Sequence, residues 1–288
     1  MKKLFCLLFL AILFLPEVSP LMAQSENQLY TFPFGIAAYT YRNSFPKGVE
    51  ATLDTIKSFG ITEFEGSAPQ GLTPEEFKKM TDARGIRIPS TGVGSYDQMV
   101  KDPSEAIKRA KALGASYVVI FSIPHEKGNF TLENAKKAVE DFNKAGKIFK
   151  ENGLTFCYHN HGQEFIPYQD GTLYDYIVQN TNPEYVSFQL DLIWATMGGA
   201  DPVALLNKYG NRYKLIHMKD LKKGVKSDGK GSLPAEDNVP LGQGQIDIEG
   251  VIRAAKKAGI QHYYIEDESK NPTEQIPQSI AYLKSLKK

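Results

Sequence analysis

A single (β/α)₈ barrel is the fold this sequence predicts, on three observations. Eight β-type segments alternate with helical patterns, glycines mark the helix exits at one recurring place, and no Pro/Gly/Ser linker divides the chain. Beyond an apolar leader roughly 265 residues remain, enough for one large barrel with its own core. The rival architecture, an open doubly wound sheet, wants a glycine-rich nucleotide turn after its first strand. Here that segment reads Tyr39-Thr40-Tyr41-Arg42-Asn43, without glycine.

The leader comes first. Met1-Lys2-Lys3 precedes an unbroken apolar run from Leu4 to Leu15, too short to span a bilayer but the length of a secretory signal core. Pro16 and Pro20 follow, then Leu21-Met22-Ala23, a small-residue cleavage site. The expected division is a signal peptide over 1–23 and a barrel domain over 24–288, exported to the periplasm of a Gram-negative bacterium without a stable membrane anchor. Cys6 would leave with the signal, so Cys157 stays alone and no internal disulfide forms. A net charge of +1 carries no electrostatic footprint for nucleic acid or an anionic membrane and suits a small carbohydrate partner.

Runs rich in β-branched and aromatic residues place strands at 34–40, 62–66, 86–91, 116–122, 154–160, 186–192, 213–218 and 262–267. Helices fill the gaps at 47–59, 74–84, 103–113, 131–151, 172–180, 201–208, 247–258 and 274–286. Thr73-Pro74-Glu75-Glu76 and Asp102-Pro103-Ser104-Glu105 each set a capping side chain before a proline and acids in the first turn. Gly60, Gly85, Gly114, Gly153 and Gly259 each stand where a helix ends and an apolar strand begins, so the short αβ turns share one end of the barrel. The longer loops occupy the other end. The longest polar loop runs from Lys222 to Val239, where a lid would fit. Leu241-Gly242-Gln243-Gly244-Gln245-Ile246-Asp247 lacks the features of a phosphate loop and reads as a turn with Asp247 capping the next helix.

Reactive groups in such a barrel stand at the C-terminal strand ends. His159 and His161 end the fifth strand, Asp191 the sixth, His217 the seventh and Glu266 the eighth. Side chains two apart share a face, which pairs His159 with His161 and His217 with Lys219. A buried aspartate among leucines, as in Gln189-Leu190-Asp191-Leu192-Ile193, needs a cation beside it, and one divalent metal is the simplest. Imidazole and carboxylate donors suit Mn²⁺, Co²⁺, Fe²⁺, Zn²⁺ or Mg²⁺. For Lys219 and Asp220 a solvated loop start fits as well as a site. For Glu65 and Arg42, substrate contact and surface charge both fit. Trp194, Tyr39, Phe121 and Tyr158 could stack on a sugar ring or pack between strand ends.

Together, His-Asn-His-Gly-x-Glu at 159–164, Gln-Leu-Asp-Leu-x-Trp-Ala at 189–195, Ile-His-x-Lys-Asp at 216–220, Leu-Gly-x-Gly-x-Ile-Asp at 241–247 and Tyr-x-Ile-Glu-Asp at 263–267 resemble the xylose isomerase-like sugar isomerase/epimerase superfamily. The resemblance covers essentially the whole chain beyond the leader. It implies a metal held by the fifth strand, Asp191, His217 and Glu266. Many relatives carry a glutamate inside the fifth strand, but 154–158 here contains none, so the ligand from this segment is His159, His161 or Glu164. A histidine-rich fifth strand is also found among dehydratases and lyases in this superfamily.

The implied chemistry is proton abstraction next to a carbonyl, through an enediolate that a metal stabilises. The expected function is isomerisation or epimerisation of a free sugar or keto-sugar. Glu266 serves as ligand and base, Glu164 or His161 returns the proton, and Lys219, Trp194, Arg42 and Glu65 contact substrate. The alternatives are β-elimination at the same site, by a 3-keto-glycoside lyase or a dehydratase, and a barrel that binds sugar without chemistry. For the leader, protein recovered from the periplasm of an expressing Gram-negative host is expected, by intact mass, to begin at Gln24. A chain retaining Met1 in that fraction would remove the cleavage-site reading.

Overall fold

The computed structural model describes residues 27–226 and 233–288. The predicted signal peptide and the middle of the predicted lid lie outside them. Among the described residues, eight parallel strands close into a barrel: β1 (Gly35–Ala37), β2 (Glu63–Glu65), β3 (Arg87–Gly92), β4 (Tyr117–Ile120), β5 (Thr155–His159), β6 (Val186–Asp191), β7 (Tyr213–Met218) and β8 (His262–Ile265). Each strand pairs with its sequence neighbours, and β1 closes the ring on β8. All eight fall within the predicted segments to within a residue, and the pairing is that of a (β/α)₈ barrel.

Ten α-helices surround the strands among the described residues: α1 (Val49–Ser58), α2 (Pro74–Asp82), α3 (Tyr96–Lys101), α4 (Ser104–Leu113), α5 (Leu132–Glu151), α6 (Leu173–Asn180), α7 (Leu192–Met197), α8 (Pro202–Tyr209), α9 (Ile248–Lys257) and α10 (Pro272–Ser285). Thr73 forms the expected capping box with Glu76. Asp102 stands one residue further out than expected: α4 begins at Ser104, whose N–H donates to the Asp102 carboxylate at 3.0 Å. The five helix-exit glycines all have positive φ, from 67° at Gly85 to 79° at Gly60, a backbone that side-chain-bearing residues resist. No helix among the described residues is long and apolar enough to cross a membrane.

Two helices are additional to those expected. Ser95 and Gln98 form a capping box that starts α3, which docks on α5 through a 2.9 Å hydrogen bond from the Tyr96 hydroxyl to buried Asp141. The sixth strand stops at Asp191 instead of running through Leu192, because the Asp191 carboxylate accepts from the Trp194 N–H at 2.8 Å and starts α7 at once. Two-stranded antiparallel ribbons were also not expected. Pro167–Tyr168 pairs with Gly171–Thr172, and Asp220–Leu221 with Asn238–Val239, the latter closing the base of the long loop.

Alternation along the strands makes two cores. Outward residues such as Phe64, Phe156, Phe188 and Ile216 pack under the helices, while Ala37, Val119, Cys157, Leu215 and Tyr264 fill the barrel interior. Below that inner layer, Glu63 accepts from Arg87 at 2.8 Å and faces His262 at 2.9 Å.

Asp220 anchors the loop that follows β7. Its buried carboxylate accepts from the N–H groups of Leu221, Gly242 and Gly244 at 2.9 Å and of Ile246 at 3.1 Å. A Cβ on Gly244 would lie 2.1 Å from the Asp220 carboxylate, so only glycine permits this wrap. Asp247 caps α9 as expected, accepting from Gly250. Replacing Asp220 with alanine orphans several buried donors and is expected to cost about 3 kcal/mol, a Tm fall of roughly 6–12 °C. A thermal shift under 2 °C would show that water substitutes for the carboxylate.

Candidate active site

The register of the strands assembles the site. Asp191 on β6 lies beside His217 on β7, and His159 on β5 lies beside Gln189 one step down β6. All four side chains point into the barrel at its C-terminal end, and one donor atom each from His159, Asp191 and His217 falls within 4.8 Å of the others. Asp191 Oδ2 stands 3.8 Å from both His159 Nε2 and His217 Nδ1. Asn160 holds the Asp191 backbone from both sides, accepting from its N–H at 2.9 Å and donating to its carbonyl at 3.3 Å.

Hydrogen bonds beneath these groups fix both imidazole tautomers. The Glu65 carboxylate can only accept, so the contact at 2.7 Å identifies Gln189 Nε2 as donor and leaves Gln189 Oε1 as acceptor for His159 Nδ1 at 2.9 Å. The His159 proton therefore sits on Nδ1 and its Nε2 lone pair faces Asp191. Glu65 also accepts from Ser90 at 2.6 Å and from His217 Nε2, which turns the His217 Nδ1 lone pair toward Asp191 and Glu266. Carboxylate-backed imidazoles of this kind are what metal sites use to orient their ligands.

The donor set fits a divalent cation. Asp191 Oδ2 and His217 Nδ1 are buried without a hydrogen-bond partner, and Nδ1 lies 2.8 Å from Glu266 Oε2. Two acceptors at that distance repel unless positive charge sits between them. In the protein alone a proton fills that role: burial opposes the imidazolium, yet Glu65 and Glu266 push His217 up to about 10. Burial pushes Asp191 up to about 6, with Lys219 opposing. Burial also acts on Glu266, but Lys219 and His217 outweigh it and hold the carboxyl well below its usual range. Burial, then the field of Lys219, brings His161 down to about 4.

Three of the five expected ligands thus converge, Glu266 adjoins them, and Glu164 lies elsewhere. Glu164 sits in a 3₁₀ turn after β5, where its carboxylate folds back to accept from the His161 N–H at 3.0 Å and from the Tyr158 hydroxyl on the helix-facing side of the barrel. As placed, it holds the His161 backbone and stands apart from the cluster of His159, Asp191 and His217. Lys219 is fully buried, bonds Glu266 at 2.9 Å and also Glu268, and lies 3.5 Å from Asp191 Oδ2, so its ammonium is held among three carboxylates instead of reaching into the open cleft. Arg42 donates to the carbonyls of Tyr39 and Glu268 and stacks on Tyr39 outside the central cleft. Glu65 lines the floor of that cleft, although its oxygens are committed to Ser90, Gln189 and His217. Tyr158 packs outward against Phe142 and Phe188.

The cleft above the cluster encloses about 560 Å³ and is lined by Tyr39, Phe121, His161, Trp194, Glu266 and Glu268 among others. The His161 and Trp194 rings lie 5.4 Å apart. Sequence reasoning missed Ser90, Gln189, Asn160 and Glu268. Alternation from Asp191 would have pointed Gln189 inward, whereas the Ser90–Glu65 link depends on strand register and left no local signal.

The model of the xylose isomerase-like TIM barrel family matches residues 53–286. The inosose dehydratase of Clostridium tetani is 29% identical over 277 residues, spanning 84% of this chain and 91% of that protein. That of Clostridium perfringens is 26% identical over 272 residues, spanning 83% and 90%. A crystal structure of a sugar phosphate isomerase/epimerase from Parabacteroides distasonis superposes with a TM-score of 0.73 at 27% identity, covering 89% of this chain and 94% of its own. An IOLI protein with a binding zinc atom shares the fold, with a TM-score of 0.68 at 18% identity over 87% of this chain and 96% of its own. The curated relatives overturn the isomerase or epimerase expected from sequence: they are dehydratases, which favours the elimination alternative. Both reactions begin with the same proton abstraction, so strand-end residues alone did not separate them.

Glu164 generates a pH test. Burial raises its carboxyl from 4.5 to about 7, against the hydrogen bonds from Tyr158 and His161. Between those values the unfolded chain has released the proton that the folded chain retains, so rising pH favours unfolding. From pH 4.5 to 7 the wild type is expected to lose about 3 kcal/mol relative to Glu164→Gln. Parallel stability curves from urea titrations would show that Glu164 ionises normally.

Proposed function

This chain belongs to the xylose isomerase-like TIM barrel family, and from that premise we propose that it is a divalent-metal-dependent lyase that expels a leaving group β to the carbonyl of a keto-sugar or keto-polyol. The observation that carries the reading is the buried three-donor cluster of His159, Asp191 and His217 beside a desolvated His161 in a sugar-sized cleft. The dehydratase relatives support an enzyme of this class over a barrel that only binds sugar.

His159, Asp191 and His217 would hold the ion, with Glu266 alongside; a divalent cation there supplies Lewis-acid polarisation of a substrate carbonyl. His161 is the proton carrier. Its Nδ1 is buried without a partner, and the ring is neutral at pH 7, so it can accept a proton from the carbon between carbonyl and leaving group. The imidazolium so formed stands in the field of Lys219, which favours passing the proton on to the departing oxygen. Glu266 and Glu268, set by Lys219, accept from substrate hydroxyls. Trp194 and Phe121 wall the ring and exclude water. The leader adds export to the proposal, which would give the enzyme access to extracytoplasmic glycosides.

Elemental analysis and turnover test this together. Asp191→Ala and His217→Ala are expected to lose bound metal while remaining folded. His161→Ala should retain it yet form the conjugated enone from an inosose or 3-keto-glycoside about 10²–10⁴ times more slowly. Full metal content in Asp191→Ala removes the site, and wild-type turnover in His161→Ala removes the carrier.

A further inference from the structure

Helices α2 to α9 each begin with a hydroxyl or carboxylate that accepts from an N–H of the first turn. The exceptions among the described α-helices are α1 and α10. Gly48 precedes α1 and has no side chain to offer, and Asn271 precedes α10 without making a capping bond. The N–H groups of both first turns are left without a side-chain partner. These two helices follow β1 and β8, the strands that pair to close the barrel, so the two uncapped ends stand on either side of its seam.

A pocket of about 200 Å³ lies between them. Gly48 and Ala51 line it from α1, Thr273 from the first turn of α10, and Tyr41, Ser44 and Lys47 from the segment after β1. Lys47 is the one charged side chain in the lining, and no carboxylate takes part. Glu50 and Glu274, the acids of the two first turns, are exposed and line no part of it. Thr52 and Thr55 also contribute, but their hydroxyls donate back to the Gly48 and Ala51 carbonyls. Tyr41 is different. Its side chain is buried, and its hydroxyl has no hydrogen-bond partner. Burial, then the charge of Asp267, keeps that hydroxyl protonated, so it stands as an unused donor.

We propose that this pocket binds a free tetrahedral oxyanion, phosphate or sulfate, which caps α1 and α10 together and ties the first helix of the barrel to the last. Two positive helix ends, an ammonium and an orphaned hydroxyl donor converge where no acid competes. The volume suits a small ion, being below the roughly 300–1,000 Å³ of pockets that hold metabolites. A neighbouring cleft of about 310 Å³ shares Ser44, Lys47 and Thr273, but there Arg42 and Lys270 are offset by Glu268 and Glu274. The acid-free pocket is therefore the one that selects an anion. It shares no lining residue with the central cleft, and it depends on neither the metal cluster nor the elimination reading.

Inorganic phosphate titrated into the full chain, treated with chelator so that no ion in the central cleft can report, tests the site by calorimetry and thermal melting at constant ionic strength. Saturable binding is expected, and phosphate at ten times its Kd should raise Tm by about 3–5 °C. Lys47 is exposed, so Lys47→Glu should fold and lose the binding. Tyr41→Phe removes a hydroxyl that has no partner, so without phosphate it should melt with the wild type, yet bind phosphate at least tenfold more weakly. The absence of saturable binding, or equal affinity in Tyr41→Phe and wild type, overturns the site. A fall of more than 3 °C in phosphate-free Tyr41→Phe also overturns it, because the hydroxyl would then be bonded within the protein.

Discussion

The Glu65 carboxylate is the interaction on which the site depends. It is buried inside the barrel and accepts from Ser90 on β3, Gln189 on β6 and His217 on β7, joining three strands to its own. An isolated carboxylate at that depth would be strongly unfavourable, and three donors make it tenable. Satisfying it also has a chemical consequence. Because Glu65 can only accept, it fixes the orientation of Gln189 and through it the tautomer of His159, while fixing that of His217 directly. His159 Nε2, with its lone pair free, and His217 Nδ1, whose proton a cation would displace, then both face Asp191 before any ligand arrives, which is the preorganisation a metal centre requires.

The barrel interior separates this charge from the other end. Cys157, Val119 and Leu215 form an apolar layer below the network, and the Glu63–Arg87–His262 cluster lies beneath that layer. Burial raises the Cys157 thiol above its usual range, so it is a neutral packing residue despite lying two positions from His159. Strand alternation thus places a metal-competent imidazole and an inert thiol on the same face of β5. Their depth in the barrel decides which is chemically available.

The fold and the strand-end residues were legible because both are periodic or local. Helix-exit glycines, capping residues and alternation all act within a few positions. The short α7 was hidden because Asp191 reads equally well as the last strand residue or as a helix cap, and in the structure it is both. The placement of Glu164 was hidden for a related reason. Its position after His161 suits a ligand, but the chain turns after β5 and sends the carboxylate to Tyr158. Asp220 had two readings, and only the folded loop shows its oxygens gathered by backbone N–H groups. The relay through Glu65 joins residues 124 and 152 positions apart, beyond the reach of any spacing rule.

Asp191 serves two parts of the structure at once. One carboxylate oxygen starts α7 and the other faces the histidines, so helix and donor cluster cannot be positioned independently. The same helix carries Trp194 and leads into Gly198, against which the β5 loop packs. His161, hung on that loop by the bond from its N–H to Glu164, therefore takes its position from the same aspartate. The cluster that would bind the ion and the wall formed by His161 and Trp194 share one anchor. The barrel axis and the wall of its cleft are consequently held in register by the backbone around a single buried side chain.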